Sequence, residues 1–377
     1  MAKKDPWHFS RHALAREFVQ QLDVGLASRM TLVAPRRKGK TEFLLFDLAP
    51  AAETAKYRVV YASLWANVNA PQQGLLEALT TAVDAKRKRR SITGSVLSAA
   101  VNKVKIDALG VGAELNFADA PVRALGDDTT AIDRLIEELS AGKRTKLLLI
   151  FDEIQHLGTE EAFTPLIYAL RTSLDRMRDV RVVFSGSSRG GIRRMFGDQN
   201  APFYGFATEV ELPDLDRDFT DFLAKTFEKI TKRKVNAATL WTQFNRLDQN
   251  PFYVREALKV MALEPGLPVL AAIERVLAAV AEQNDYKGLW AKLKPLDRAL
   301  FLAIVRNPGG GGLHSQESVD ELSGLMGKSV SRTLIGRRLQ RLAERNLVST
   351  AKRGSYQVEM PGFAEWVLRN DEEAKKT

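Results

Sequence analysis

Apolar residues recur along this chain in two rhythms, and the change from one to the other divides it. Between residues 29 and 215, short apolar runs alternate with stretches of helical spacing. RMTLVA (29–34), YRVVYASLW (57–65), KLLLIFDEI (146–154), VRVVFSGSS (180–188) and ATEVELPDL (207–215) read as strands, being β-branched, aromatic or continuously apolar. An unbroken run such as LLLIF suits a strand covered on both faces. The stretches 10–27, 41–49, 72–85, 130–140 and 163–177 carry helical spacing, with Leu14, Phe18, Leu22 and Leu26 marking the first. Strands alternating with helices predict a mostly parallel α/β sheet with helices on both faces.

From residue 214 the strand rhythm stops. DRDFTDFLAKTFEKI, AATLWTQFNRL, PFYVREALKVMAL and PVLAAIERVLAAVAEQ follow one another as helical patterns. From about 291 three further helices lead into STAKRGSYQVEM, which alternates as strand, turn, strand. The pattern predicts a core over 1–213, a helical domain over 214–290 and a winged helix over 291–377. In its third helix Ile335, Leu339, Leu342 and Ala343 form one apolar stripe, while Arg337, Arg341 and Arg345 sit four apart on another face. Residues 86–125 read as an insertion. It opens on the basic run KRKRRS, expected to be a solvated segment, and KVKIDALGVGAELNF (103–117) predicts a hairpin.

Composition narrows the classes of function. The chain has 377 residues, 45% hydrophobic and 27% charged, with formal net charge +10. That excess favours polyanionic partners, nucleic acid first and an anionic membrane surface second. No apolar run approaches the roughly 20 residues of a membrane span, and the N-terminus lacks a signal-like apolar core, so a cytoplasmic protein without membrane association is expected. With no cysteine, disulfides and thiolate metal sites are excluded. His8 and His12 have a spacing that could share a metal, but no further histidine lies near them, and they read as surface residues.

The candidate chemistry begins at residues 34–42: Ala34, Pro35, Arg36, Arg37, Lys38, Gly39, Lys40, Thr41 and Glu42. They lie between a strand and a helix and end in Gly-Lys-Thr. In a phosphate-binding loop, backbone N–H groups at a helix N-terminus surround a phosphate, the lysine bridges β- and γ-phosphates, and the Ser/Thr hydroxyl ligates magnesium. Ala34 stands where such a loop usually begins with glycine, a position that accepts a small residue if φ is negative. The strand at 146–154 then ends in Asp152 and Glu153, at the edge where open α/β sheets bind ligands. Asp152 is expected to hold magnesium through water near Thr41, and Glu153 to orient and deprotonate a water. The strand at 180–188 ends in Ser185, Gly186, Ser187, Ser188 and Arg189, polar groups able to sense a γ-phosphate or position water. Arg189 either touches that phosphate or is a surface arginine.

With APRRKGKTEFLL, LIFDEIQ, FSGSS and NPFYVREAL in place, the chain resembles the archaeal-type P-loop ATPases of the AAA+/STAND group. The resemblance implies an α/β P-loop ATPase core with a parallel five-stranded sheet, then a helical lid and a winged-helix domain. It implies ATP and Mg2+ as ligands, with Glu153, Lys40 and Arg189 as catalytic residues and Thr41 and Asp152 at the metal. Ser187 and Pro251 are implied at the nucleotide, Pro251 by likeness to a G-x-P motif in which Gln249 replaces the glycine. The winged helix would meet DNA through Lys328, Ser331, Arg332, Arg337, Arg338, Arg341, Lys352 and Arg353, its third helix entering the major groove. The implied function is ATP hydrolysis coupled to DNA binding, with a homo-oligomer open. The alternative is a nucleotide-regulated switch of slow turnover whose winged helix docks a protein partner.

Overall fold

The computed structural model describes residues 5–25, 27–67, 69–91, 128–142, 146–177, 179–307, 311–352 and 354–376. The hairpin expected over 103–117 therefore lies outside the described residues. The chain divides into two compact units. One comprises Met1–Ala34, Gly39–Ser187 and Gly191–Leu212; the other comprises Pro35–Lys38, Ser188–Gly190 and Pro213–Thr377.

The first unit is built on strands β1 (Arg29–Val33), β2 (Tyr57–Ser63), β3 (Lys146–Asp152), β4 (Val180–Gly186) and β5 (Thr208–Glu211). They form one sheet in the order β2-β3-β4-β1-β5, and every pairing is parallel. The unbroken apolar run of β3 resolves into two alternating faces. Leu147, Leu149 and Phe151 enter one core cluster; Leu148 and Ile150 enter another on the opposite side. This is the period of two expected of a strand buried on both faces. Helices α1 (His12–Val24), α2 (Lys40–Phe43), α3 (Ala49–Thr54), α4 (Pro71–Ser91), α5 (Asp128–Ser140) and α6 (Thr164–Arg176) belong to this unit.

Three elements depart from the sequence pattern. The helix expected over 41–49 contains a π turn at Leu44–Leu48, which continues into α3 and carries buried Asp47. Strand β5 ends at Glu211 rather than 215; Leu212 N still donates to Val33 O at 3.3 Å, but Pro213 has no N–H to continue the ladder. Helix α4 runs through the basic run instead of stopping at 85. Lys86 Nζ donates to Ala141 O at 3.0 Å and to Glu138 O, satisfying carbonyls that the end of α5 leaves without helical partners. Arg87 forms two bonds to Glu138, at 2.9 and 2.8 Å. Within KRKRRS, Lys86 is thus buried against the end of α5, while Arg87 and Lys88 are exposed as expected of a solvated run.

The second unit holds the short α7 (Arg189–Ile192) in part, and then α8 (Arg217–Thr231), α9 (Ala237–Arg246), α10 (Pro251–Leu263), α11 (Val269–Gln283) and α12 (Tyr286–Ala291). After them come α13 (Pro295–Arg306), α14 (Gln316–Met326), α15 (Arg332–Glu344), β6 (Val348–Lys352), β7 (Ser355–Val358) and α16 (Pro361–Lys376). Strands β6 and β7 pair antiparallel, Val348 opposite Val358. Three helices and a hairpin thus occur in the order expected of a winged helix, and Ile335, Leu339 and Leu342 are buried on one stripe of α15. Arg246 joins the two parts of this unit, bonding Glu274 of α11 at 3.1 Å and Glu365 of α16 at 2.6 Å. Among the described residues no helix is long and apolar enough to cross a membrane.

His8 is no surface residue: it is buried, with Nε2 3.2 Å from Asp47 Oδ1 and Nδ1 3.8 Å from Glu42 Oε2. Its ring meets Phe46 edge-on at 5.4 Å, and the exposed His12 lies 3.7 Å from the same Asp47 oxygen. Burial alone would depress the His8 pKa, but Asp47 and Glu42 outweigh it and raise it to about 9 from 6.5. A folded-state value above the unfolded one means that the stabilisation is complete below pH 6.5 and is lost as pH rises through about 9. Urea unfolding of the wild type should therefore show stability falling by on the order of 2–3 kcal/mol across that window. His8→Asn should be less stable at pH 6 and should lack most of that decline.

Candidate active site

Each of three parallel strands in the first unit delivers polar groups at its carboxyl end. β1 leads into the loop that closes at Gly39, β3 ends at Asp152, and β4, lying between them, ends at Gly186. Gly39 adopts φ 86°, ψ 19° just before α2, left-handed backbone that glycine enters without steric cost. Ala34 is not among the residues of positive φ, so its methyl group imposes no strain. Lys40 is buried, and its Nζ donates to Ala34 O at 2.7 Å, placing the ammonium across the mouth of the loop.

Asp152 is held by three hydroxyls. Thr41 Oγ1 donates to Oδ2 at 2.8 Å, Tyr61 OH donates to the same oxygen at 2.7 Å, and Ser185 Oγ donates to Oδ1. Thr41 and Asp152, 111 positions apart in the chain, therefore share a hydrogen bond. The donor set fits magnesium, which takes oxygen ligands, keeps several waters and commonly combines one or two protein groups with substrate phosphates. Among the described residues no group of three or more His, Asp or Glu side chains could hold a metal.

Glu153 sits at φ 59°, ψ 44°. For a residue with a Cβ this left-handed conformation costs about 1–2 kcal/mol, and such strain gathers at functional sites where the surroundings enforce it. Here the enforcing groups converge on one oxygen. Ser187 Oγ and N donate to Glu153 Oε2 at 2.6 and 3.2 Å, and Gln155 Nε2 donates to it too. Burial opposes the charge, yet Lys40 together with the Ser187 and Gln155 bonds outweighs it and holds the carboxyl below its ordinary pKa. An ionised carboxylate with one oxygen anchored leaves Oε1 to accept a proton, the arrangement a general base needs. His156, three positions on, stands edge-on to Trp65 at 4.3 Å.

Other residues expected at the site have partners within their own units. Glu42 faces His8. Pro35, Arg36, Arg37 and Lys38 belong to the second unit. There Lys38, buried, donates to Asp214 Oδ1 at 2.8 Å and also pairs with Asp248. The Arg37 guanidinium stacks 4.0 Å above the Phe252 ring, while Arg36 is exposed. Pro251 is buried at the first turn of α10, where Asn250 caps Phe252 N at 3.1 Å and donates to Arg36 O at 3.3 Å. Gln249, standing where the motif has glycine, has φ 47° and so keeps the backbone glycine would take. Arg189 also belongs to the second unit; with its amide turned to face the guanidinium, Gln357 accepts from Arg189 Nη1 and Nε at 3.0 Å each.

On α15, Arg332, Arg337 and Arg341 are exposed, as is Lys328 before it. Arg338 turns inward instead, 3.5 Å from Asp297. Ser331 is the N-cap, its Oγ accepting from Leu334 N at 3.2 Å. The Lys352 side chain and Arg353 lie outside the described residues. Sequence reasoning missed Tyr61 and gave Gln155 no role; Tyr61 comes into view only through the sheet register that sets Ser63, two positions on, opposite Asp152.

Five parallel strands in the order β2-β3-β4-β1-β5, with a Gly-Lys-Thr turn after β1, make the fold that of P-loop ATPases. Among solved structures, the Walker-type ATPase of Pyrococcus abyssi is similar, with TM-score 0.60 and 19% identity over 94% of this chain and 95% of that one. The Aeropyrum pernix ORC2 protein aligns at TM-score 0.43 with 13% identity over 95% and 92%. The RuvB Holliday junction branch migration motor of Thermotoga maritima aligns at 0.39 with 14% identity over 92% and 89%. The first of these likenesses establishes the fold, and the other two add nothing to it. No family model and no curated protein matches the chain.

Gly186 is where the site has least room. A Cβ there would come within 2.5 Å of Ile192 Cδ1 and 2.6 Å of Gln155 Oε1. Both neighbours are buried and Gln155 is tethered to Glu153 and Ser187. Gly186→Ala should therefore destabilise the protein by about 1–3 kcal/mol in denaturant unfolding, while Gly324→Ala, in open space on α14, should cost nothing.

Proposed function

We propose that this protein binds ATP with magnesium, hydrolyses it, and couples its nucleotide state to DNA binding through the C-terminal winged helix, as a cytoplasmic protein. The observation that carries the reading is the hydrogen bond of Thr41 to Asp152 beside a strained, ionised Glu153. The fold shared with a Walker-type ATPase supports it.

Gly39 and the first N–H groups of α2 form the kind of helix N-terminus that receives a phosphate. Lys40 exchanges its bond to Ala34 O for β- and γ-phosphate oxygens, and its charge compensates what develops on the leaving phosphate. Thr41 and Asp152 would hold the metal, the Thr41 hydroxyl already hydrogen-bonded to the Asp152 carboxylate. Bound magnesium would polarise the γ-phosphoryl and screen its charge. Glu153, anchored through Oε2, takes the proton of the attacking water on Oε1. Ser187 fixes that orientation.

On the C-terminal side, Lys328, Arg332, Arg337 and Arg341 present exposed positive charge along and before α15, suited to phosphate contacts. Arg338 drops out, because Asp297 holds it inside.

Two measurements test this. Glu153→Gln should keep nucleotide affinity within a few-fold while slowing hydrolysis on the order of 10²-fold or more; normal turnover would remove Glu153 from the chemistry. Duplex DNA should bind with steep salt dependence and raise turnover, and Arg337→Ala with Arg341→Ala should lower the salt slope by about 2. DNA without effect on either quantity would instead favour a switch whose winged helix docks a protein partner.

A further inference from the structure

We infer that Tyr61 is a positioning residue for the metal–nucleotide site, fixing Asp152 so that it and Thr41 act on magnesium together. The inference rests on the nucleotide-site reading given above.

Tyr61 stands on β2, the edge strand beside β3, opposite Ile150; two positions on, Ser63 is opposite Asp152. Its ring packs against the core cluster that contains Phe43, Leu44 and Leu48 of the helical segment after the phosphate loop. From there its OH reaches Asp152 Oδ2 at 2.7 Å, the same oxygen that accepts from Thr41 Oγ1 at 2.8 Å.

The three donors to Asp152 differ in kind. Thr41 and Ser185 carry their hydroxyls on short side chains, and Thr41 is itself the residue offered to the metal. Tyr61 donates from the end of a rigid, partly buried ring packed against the core, so its oxygen is positioned by packing. Burial first, and then the adjacent Asp152 charge, push its pKa far up, so the phenol remains a neutral donor. A carboxylate has about four acceptor positions, and the three hydroxyls fill most of them. What remains suits a water-mediated hold on the metal. Partners of this kind, which orient a group acting on a metal, typically contribute about 10–100-fold in metal affinity.

The same strand supplies a control. Tyr57 OH donates to Asp23 Oδ1 at 2.7 Å, another phenol–carboxylate bond on β2 that involves no residue of the site. A merely structural role would make the two phenols equivalent.

The experiment titrates Mg2+ against binding of a fluorescent ATP analogue to the full chain, with thermal unfolding measured without metal. For Tyr61→Phe, the Mg2+ concentration giving half of the metal-dependent gain in affinity should rise about 10-fold, while metal-free affinity stays at the wild-type level. Tyr57→Phe should match the wild type in Mg2+ requirement whatever its unfolding temperature. An unchanged Mg2+ requirement in Tyr61→Phe overturns the inference, as does an equal loss of metal-free affinity. A wild type whose nucleotide binding ignores Mg2+ overturns the nucleotide-site reading and this inference with it, an outcome distinct from failure of Tyr61 alone.

Discussion

The carboxylate of Asp152 is the point on which the rest of the site depends. It receives Tyr61 from β2, Thr41 from the helix after β1, and Ser185 from β4, while its own strand is β3. One side chain thus ties together the carboxyl ends of three strands and the start of the phosphate-loop helix. A buried ionisable group is tolerated when its oxygens are hydrogen-bonded, and is costly when they are not. The sheet supplies these bonds because strand order places β4 between β1 and β3, bringing residues 111 positions apart within reach. The two apolar faces of β3 hold that strand rigid, so the carboxylate at its end is presented from a fixed base.

Strain is concentrated beside that fixed point. Glu153 follows immediately and turns into left-handed backbone, restrained by Ser187 and Gln155. The cost of the turn is offset by bonds that converge on one carboxylate oxygen and leave the other accessible to chemistry. In the second unit, Asp248 and Gln249 repeat the theme with φ of 53° and 47° ahead of Pro251. Gln249 takes left-handed backbone of the kind glycine enters freely, and Asn250 caps α10 and holds Arg36 O.

Much of this was legible in the sequence, and what was not has identifiable causes. The five strands and the C-terminal helix–helix–helix–hairpin order follow from periodicity, because burial on both faces and burial on one stripe leave different spacings. Asp152, Glu153, Gly39, Lys40 and Thr41 could be picked out because their residue types recur at strand ends for chemical reasons. Tyr61 could not, since its hydroxyl matters only through sheet register, which no local pattern encodes. Lys86 read as part of a solvated run because a charge that caps a neighbouring helix looks, in one dimension, like any other surface charge. His8 was hidden for the same reason: its partner Asp47 lies in a π turn that helical spacing does not reveal. Lys38 shows the converse, a cation in a phosphate-loop context whose charge is already neutralised by Asp214 and Asp248.

Central to the proposed function is the claim that Thr41, Asp152 and Glu153 form one metal-dependent hydrolytic site. A crystal structure with Mg2+ and a non-hydrolysable ATP analogue tests it most directly. The expected result is a metal beside Thr41 Oγ1 and Asp152, with the terminal phosphate at Lys40 and Glu153 facing it. Nucleotide bound away from the Gly39–Thr41 turn, or bound there with no metal between Thr41 and Asp152, would contradict it.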